Sequence, residues 1–196
     1  FWLYKPDSYF EADWRRHEGA GPIFINLTHD IDLIRHLCGE IRCVEARQSS
    51  AARGYDIEDT AVLLLEFENG ALGTVTVSDA TVAPWSWEFS SGENPAYPKT
   101  EVPAYQIGGT RGALSIPDLR LWSQPEERSW WAPIDSEELA CEPRDPFEVQ
   151  LGHFEDVIIG KVKPSVTGAD GLRSLAVVEA IKKAAVERRA VEPEAI

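Results

Sequence analysis

No methionine occurs in this chain of 196 residues, and only three cysteines do. Cys38, Cys43 and Cys141 are odd in number and have no second Cys or His pair at metal-ligand spacing. Neither a disulfide framework nor a metal site is indicated, and free thiols in a reducing, cytoplasmic compartment are the expectation. No apolar run reaches the length of a membrane-spanning helix, and nothing resembles a signal peptide. Basic residues are scarce, 19 Lys and Arg against 33 Asp and Glu, for a net charge of −14. That excess argues against nucleic acid or an anionic membrane surface as a partner, since both repel it. No G-x-G-x-x-G lies between a strand and a helix, and strands do not alternate with helices, so no dinucleotide fold is expected. GGTRG (108–112) sits between strand-like segments and reads as a tight turn. With no initiator, and opening on FWLY as a strand already under way, the chain reads as a piece of a longer protein, the missing part being N-terminal.

What is present centres on GAGPIFINLTHDIDLIRHLCG (19–39). Pro22 suits a first helical position and Gly39 the residue past the end. Ile23, Leu27, Ile31, Ile34 and Cys38 recur at three- and four-residue steps, so one face of a 22–38 helix belongs to the core. Opposite it, Asn26 lies one turn from His29 and Asp30, and Asp32 follows His29 by three. Two readings stand: a proton-handling cluster at the mouth of a pocket, or a solvated face carrying a weak Asp32–Arg35 pair.

Along the rest of the chain, residues 1–4 read as a strand, 5–19 as a polar loop, and 42–50 as a strand with Val44, Ala46 and Gln48 on one side. TAVLLLEF (60–67) and ALGTVTVSDA (71–80) form a hairpin about Asn69-Gly70, a pair that tolerates positive φ. Leu63, Leu65 and Phe67 make one apolar face, while Val62 and Leu64 make the other apolar too, which predicts cover on both sides. WSWEF (85–89) alternates like a strand. Short strands are expected within 108–117 and at 119–123, then an acidic loop to about residue 144. Asp145-Pro146 starts a helix in which Phe147, Leu151, Phe154 and Ile158 face inward and which Gly160 ends. A last helix runs from about 170 to 188 with Leu172, Leu175, Val178 and Ile181 inward. The sum is an α+β domain spanning 1–196, a mainly antiparallel, open mixed sheet with helices on one face and the other face available for oligomerisation.

Five segments, WRRHEGAGPIFINLTHDIDLIRHLCGEI (14–41), EDTAVLLLEFENGALGT (58–74), SDATVAPWSWEFSSGENPAYP (78–98), YQIGGTRGALSIPDLRLW (105–122) and HFEDVIIGKVKPSVTGADGLRSLAVVEAIKKA (153–184), follow one another as in a known family. Together they resemble the C-terminal domain of the Gfo/Idh/MocA oxidoreductases, named for glucose–fructose oxidoreductase, inositol dehydrogenase and the rhizopine-catabolism protein. The resemblance implies a C-terminal domain like that of glyceraldehyde-3-phosphate dehydrogenase. It implies a partner Rossmann domain holding NAD or NADP and bearing the catalytic lysine of a Glu-Lys-Pro motif, both outside this chain. Lys5-Pro6 follows Tyr4 and is not that motif. The implied reaction is hydride transfer between nicotinamide and a sugar, cyclitol or polyol, in a homodimer or homotetramer built through the open sheet, and the isolated domain is expected to be inactive.

The family pattern sets an Asp four residues before a catalytic His. His29 occupies the His position, but Ile25 falls where Asp belongs, and Asn26 is the nearest polar substitute. Asn orients an imidazole or a hydroxyl but carries no charge, so Asp30, also counted as a substrate contact, is the alternative partner. A neutral imidazole suits removal of the carbinol proton. Trp14 and Arg15 line the cofactor side, or are a surface aromatic and a solvated charge. Lys5 and Tyr9 contact substrate or are loop residues; Trp85, Trp87 and Tyr97 stack on a sugar ring or pack in the core. Glu58 and Asp59 read as turn or cap residues, and His17, His36 and His153 as structural. Two other classes stay open: a glycosidase-like enzyme using NAD transiently, and a binding or dimerisation module without catalysis.

Overall fold

The computed structural model describes residues 1–142 and 144–194; the end of the acidic loop, at Pro143, lies outside them. The chain forms two compact units, Phe1–Ala83 with Ser165–Ile196, and Pro84–Pro164. Its class is α+β, as the patterning predicts. Strand pairing is antiparallel throughout the described sheets, and the strands group into a three-stranded and a four-stranded sheet.

In the first unit β1 (Ile41–Ser49), β2 (Thr60–Phe67) and β3 (Leu72–Ser78) form an antiparallel meander, with Ala46 opposite Leu63 and Leu63 opposite Val75. The β2–β3 connection departs from the expected Asn-Gly turn. Only Gly70 takes a positive φ, of 84°, and the Gly70 N–H donates to the Phe67 carbonyl, so the turn is a three-residue loop closed by a left-handed glycine. The Asn69 amide is thereby free to donate to the Cys38 carbonyl at 2.8 Å, closing off the end of the preceding helix.

The expected 22–38 helix is two pieces, α1 (Pro22–Ile25) and α2 (Leu27–Cys38), because Asn26 sits at φ −107° between them. α5 (Gly168–Glu187) lies over β1 and α2. Ile23, Leu27, Ile31, Val178 and Ile181 meet Leu63, Leu65 and Phe67 in one core. Leu172 and Leu175, expected inward on α5, are part-exposed, and Ala176, Val177 and Ala184 fill the contact instead. Small residues let the helix approach β1 closely, and that choice of face is a packing decision that periodicity alone leaves open. After α5 the chain returns along the edge of β1, where Val44 and Val191 exchange backbone bonds of 2.9 Å.

Residues 1–4 are not a strand; a single parallel bridge joins Trp2 to Ser78. The segment still docks beside β3, since the Leu3 N–H donates to the Ser78 carbonyl and the Lys5 N–H to that of Asp79. The polar stretch that follows coils into two 3₁₀ turns, Asp7–Glu11 and Asp13–Arg16.

The second unit holds α3 (Trp87–Ser91), the meander β4 (Tyr105–Gly108), β5 (Gly112–Ile116), β6 (Arg120–Ser123) and β7 (Asp135–Glu138), and α4 (Pro146–Ile158). WSWEF is not a strand: Trp85 and Ser86 lead into the short helix α3, which begins at Trp87. Ser86 Oγ accepts the Phe89 N–H and Gly92 supplies a left-handed stop at φ 70°, so local capping overrides the alternation. GGTRG is the β4–β5 turn, and β7 is a strand that composition gave no reason to expect. Asp145 caps α4 as anticipated, but Phe147, Leu151, Phe154 and Ile158 are exposed rather than inward.

Candidate active site

Lys5 is the residue around which the first unit's polar interior is built. Docking of residues 1–5 beside β3 delivers its side chain to the end of that strand, where it is only 7% exposed and Asp79 is fully buried. Lys5 Nζ lies 3.5 Å from Asp79 Oδ2 and donates to Asn26 Oδ1 at 2.8 Å. Arg53, from the β1–β2 connection, meets Asp79 Oδ1 at 3.2 Å and donates to the carbonyls of Lys5 and Asp79, both at 2.6 Å. Burial pulls the Lys5 amine below its ordinary range, and only in part does Asp79 counter it. The same burial pushes the Asp79 carboxyl up, against the opposing pull of Lys5 and Arg53. Each of these buried charges is tolerable because the others are present.

The start of α1 is held from outside. Glu58 Oε1 accepts the Ile23 N–H at 2.9 Å, serving as a cap that the helix does not supply itself. Gly21 makes the approach possible: a Cβ there collides with the Glu58 carboxylate. Burial raises the Glu58 carboxyl, and the bond from Ile23 partly offsets that. Asp59 accepts the N–H groups of Ala52 and Arg53 at 2.9 and 3.0 Å, fixing the turn that aims Arg53 inward.

Beside this network stand three of the residues that the resemblance singles out. The Lys5 ammonium lies 5.0 Å from the Tyr9 ring centre, and the Arg15 guanidinium covers that ring at 4.0 Å. Arg15 is tied down by a 2.8 Å bond to the Tyr9 carbonyl, with the exposed Trp14 indole 5.3 Å from its charge centre. Its Nε is buried without a hydrogen-bond partner among the described residues. Trp14 and Arg15 thus set an exposed aromatic face beside a tethered cation, a surface on which a planar ring can stack.

His29 opens on a groove of about 510 Å³ with Asp32, His36 and Val166. It is exposed, and among the described residues its ring has no hydrogen-bond partner. One turn earlier, the Asn26 carbonyl accepts the His29 N–H at 3.1 Å. Asp30 is buried on the inner side of α2. Beneath the groove the buried Arg35 donates twice to Glu40, at 2.8 and 2.9 Å, and once to the Asp170 carbonyl. Asp32 therefore pairs only loosely with Arg35, at 3.7 Å, and accepts instead from Ser174 at 2.7 Å. A groove of about 570 Å³ along α5, past Glu179, Lys183 and Val191, contains no imidazole or thiol.

The structure thus brings Lys5, Tyr9, Trp14, Arg15 and Asn26 into one cluster, with His29 a turn beyond. Trp85 and Tyr97 belong to the second unit, Trp85 exposed and Tyr97 edge-on to Phe89 at 6.0 Å. Arg53 and Asp79 escaped the sequence reading. The available signal was a charge set directly after an apolar strand, in SDA at 78–80.

With that geometry in view, comparison with known proteins is direct. Residues 2–192 match the family described as "Oxidoreductase family, C-terminal alpha/beta domain". The chain is 28% identical over 180 residues to D-apiose dehydrogenase of Rhizobium rhizogenes, covering 84% of this chain and 46% of the relative. It is 28% identical over 185 residues to 1,5-anhydro-D-fructose reductase of Ensifer adhaerens, covering 92% and 51%. It spans about half the length of these relatives. In fold it superposes on the WlbA dehydrogenase of Bordetella pertussis, solved with NADH and UDP-GlcNAcA, at a TM-score of 0.67 and 23% identity, over 100% of this chain and 52% of that one.

Proposed function

Because the chain belongs to the Gfo/Idh/MocA oxidoreductase family, we propose that it is the C-terminal domain of an NAD- or NADP-dependent dehydrogenase or reductase. Its substrate is a sugar, cyclitol or related polyol, and an N-terminal Rossmann domain outside this chain holds most of the dinucleotide. The observation that carries this reading is the family match across 2–192, which contains the exposed His29, its ring without a partner among the described residues, beside the Lys5–Asn26 pair. The names of the two relatives support the substrate class.

When bound, the nicotinamide supplies the hydride acceptor or donor. In oxidation, the His29 imidazole takes the carbinol O–H proton, and in reduction it returns one to the carbonyl oxygen. Asn26 hydrogen-bonds that same oxygen. Lys5 and Tyr9 shape the substrate side; Asp30, which the sequence also placed there, is buried on α2 and is left out of it. Trp14 and Arg15 face the cofactor, the exposed Trp14 indole beside the Arg15 guanidinium.

A second copy of the chain covers the outer face of β2 and β3, giving a homodimer or homotetramer. Val62 and Leu64 are 48% and 55% exposed there, which is unusual for adjacent outward positions on a central strand. Three free cysteines support a reducing, cytoplasmic setting.

The test is His29→Ala in the full-length parent enzyme, assayed by polyol-dependent reduction of NAD or NADP. Loss of a general base is expected to lower kcat/KM by about 10²–10⁴-fold. Unchanged turnover removes His29 from the chemistry.

A further inference from the structure

An asparagine at the mouth of a helix ordinarily turns its side-chain oxygen onto the helix's own first N–H groups. Asn26 stands at that position before α2 and makes no such bond. Its Oδ1 instead accepts from Lys5 Nζ at 2.8 Å. The assignment of the two amide atoms follows from chemistry, because an ammonium group only donates and the atom it meets must be the oxygen. Lys5 is itself immobile: it is 7% exposed, faces the fully buried Asp79 at 3.5 Å, and has its own carbonyl gripped by Arg53. Among the described residues the Asn26 Nδ2 group has no partner, and the residue is part-exposed one turn before His29.

We infer that Lys5 is a positioning residue that holds the Asn26 amide with Oδ1 inward and both Nδ2–H donors outward, toward the reacting oxygen of the substrate. This rests on the reading of the His29 stripe as the active site, and it deepens that reading. A neutral amide held this way does what a carboxylate at the same place cannot. It donates to a carbonyl or a developing alkoxide, so the site favours a substrate whose reacting carbon bears an oxygen that gains negative charge. Asp79 and Arg53 act at one further remove, by fixing the lysine.

Two variants of the full-length parent enzyme separate the possibilities. Asn26→Asp keeps a partner for Lys5 and exchanges both donors for acceptors. With D-glucose, D-xylose and myo-inositol as probes and NAD or NADP present, it is expected to lower kcat by about 10²-fold for whichever probe is turned over, with melting temperature unchanged. Lys5→Met combined with Asp79→Asn removes a buried charge of each sign, frees the amide to turn, and is expected to lower kcat while Asn26 is still present. A second readout does not depend on activity. In the parent labelled with ¹⁵N-asparagine, the Nδ2 protons of Asn26 are expected to exchange with water within about tenfold of a free amide, as outward-facing donors do. Protection of about 100-fold or more overturns the proposal, as does an Asn26→Asp enzyme with full kcat. A parent that turns over a probe equally well as His29→Ala overturns the active-site reading, while the exchange result still decides the amide's orientation.

Discussion

Gly21 is the residue on which the site's geometry bears most tightly. A Cβ there intrudes on the Glu58 carboxylate that caps α1. Gly21→Ala is expected to destabilise the first unit by about 1–3 kcal/mol, read from the urea midpoint, as overpacking does. Two groups at the surface give opposite pH slopes. Asp170, in the capping box of α5, is drawn down to about 2 from an ordinary 3.8, chiefly by its bond with Thr167. Its folded value lies below its unfolded one, so its contribution is full above about pH 4 and is lost as pH falls through that window. His17 bonds Asp56 at 3.0 Å and Asp13 at 3.3 Å, and these raise it, Asp56 foremost. Its contribution is full below pH 6.5 and is lost as pH rises through the elevated value. The difference from the parent in thermal melts should therefore shrink as pH falls below about 4 for Asp170→Asn and shrink as pH rises above 6.5 for His17→Gln. At this scale the helix start at Pro22 and the helical setting of His29 were legible, because a cap and an apolar stripe lie close together in sequence. Arg53 and Asp79 were not, because a buried ion pair joins residues 26 positions apart and leaves no local spacing.

Among the elements, β2 emerged at its expected bounds, because alternation and a turn agree there. α5 shows what periodicity omits. Ile181 is fully buried against β1 and α2, whereas Leu175 is 39% exposed, although the pattern placed both inward. Ile181→Ala is expected to cost about 2–5 kcal/mol by chemical denaturation. Leu175→Ala should cost less than Ile181→Ala, since over a third of the Leu175 surface stays in water. Reversed costs would mean that α5 is rotated on the sheet. α4 makes the same point from the other side: Phe147, Leu151, Phe154 and Ile158 do share a face, yet that face is exposed. A stripe reveals that a helix is two-sided, and only tertiary contacts reveal what, if anything, its apolar side meets.

For the molecule as a whole, the proposed second copy on β2 and β3 predicts that Leu64→Arg lowers the mass of the parent enzyme by light scattering while its circular dichroism is retained. A parent that is monomeric at high concentration excludes that interface. The chain by itself is expected to show no polyol-dependent hydride transfer, and addition of the Rossmann domain should restore it. Here the order of motifs was informative in a way no single motif was, because a family's signature spreads over a sheet, its covering helices and the turns between them. From the linear chain alone came the class of the fold, the span of β2, the caps of α4 and the place of His29. Each of these is written in neighbours a few residues apart, where propensity and capping act. Only the folded molecule decided that Asn26 breaks its helix and turns to Lys5, that Asp79 and Arg53 lie behind it, and which face of α5 is inside. These follow from burial and charge pairing across long separations, where the free energy depends on which groups meet and not on the order in which they were joined.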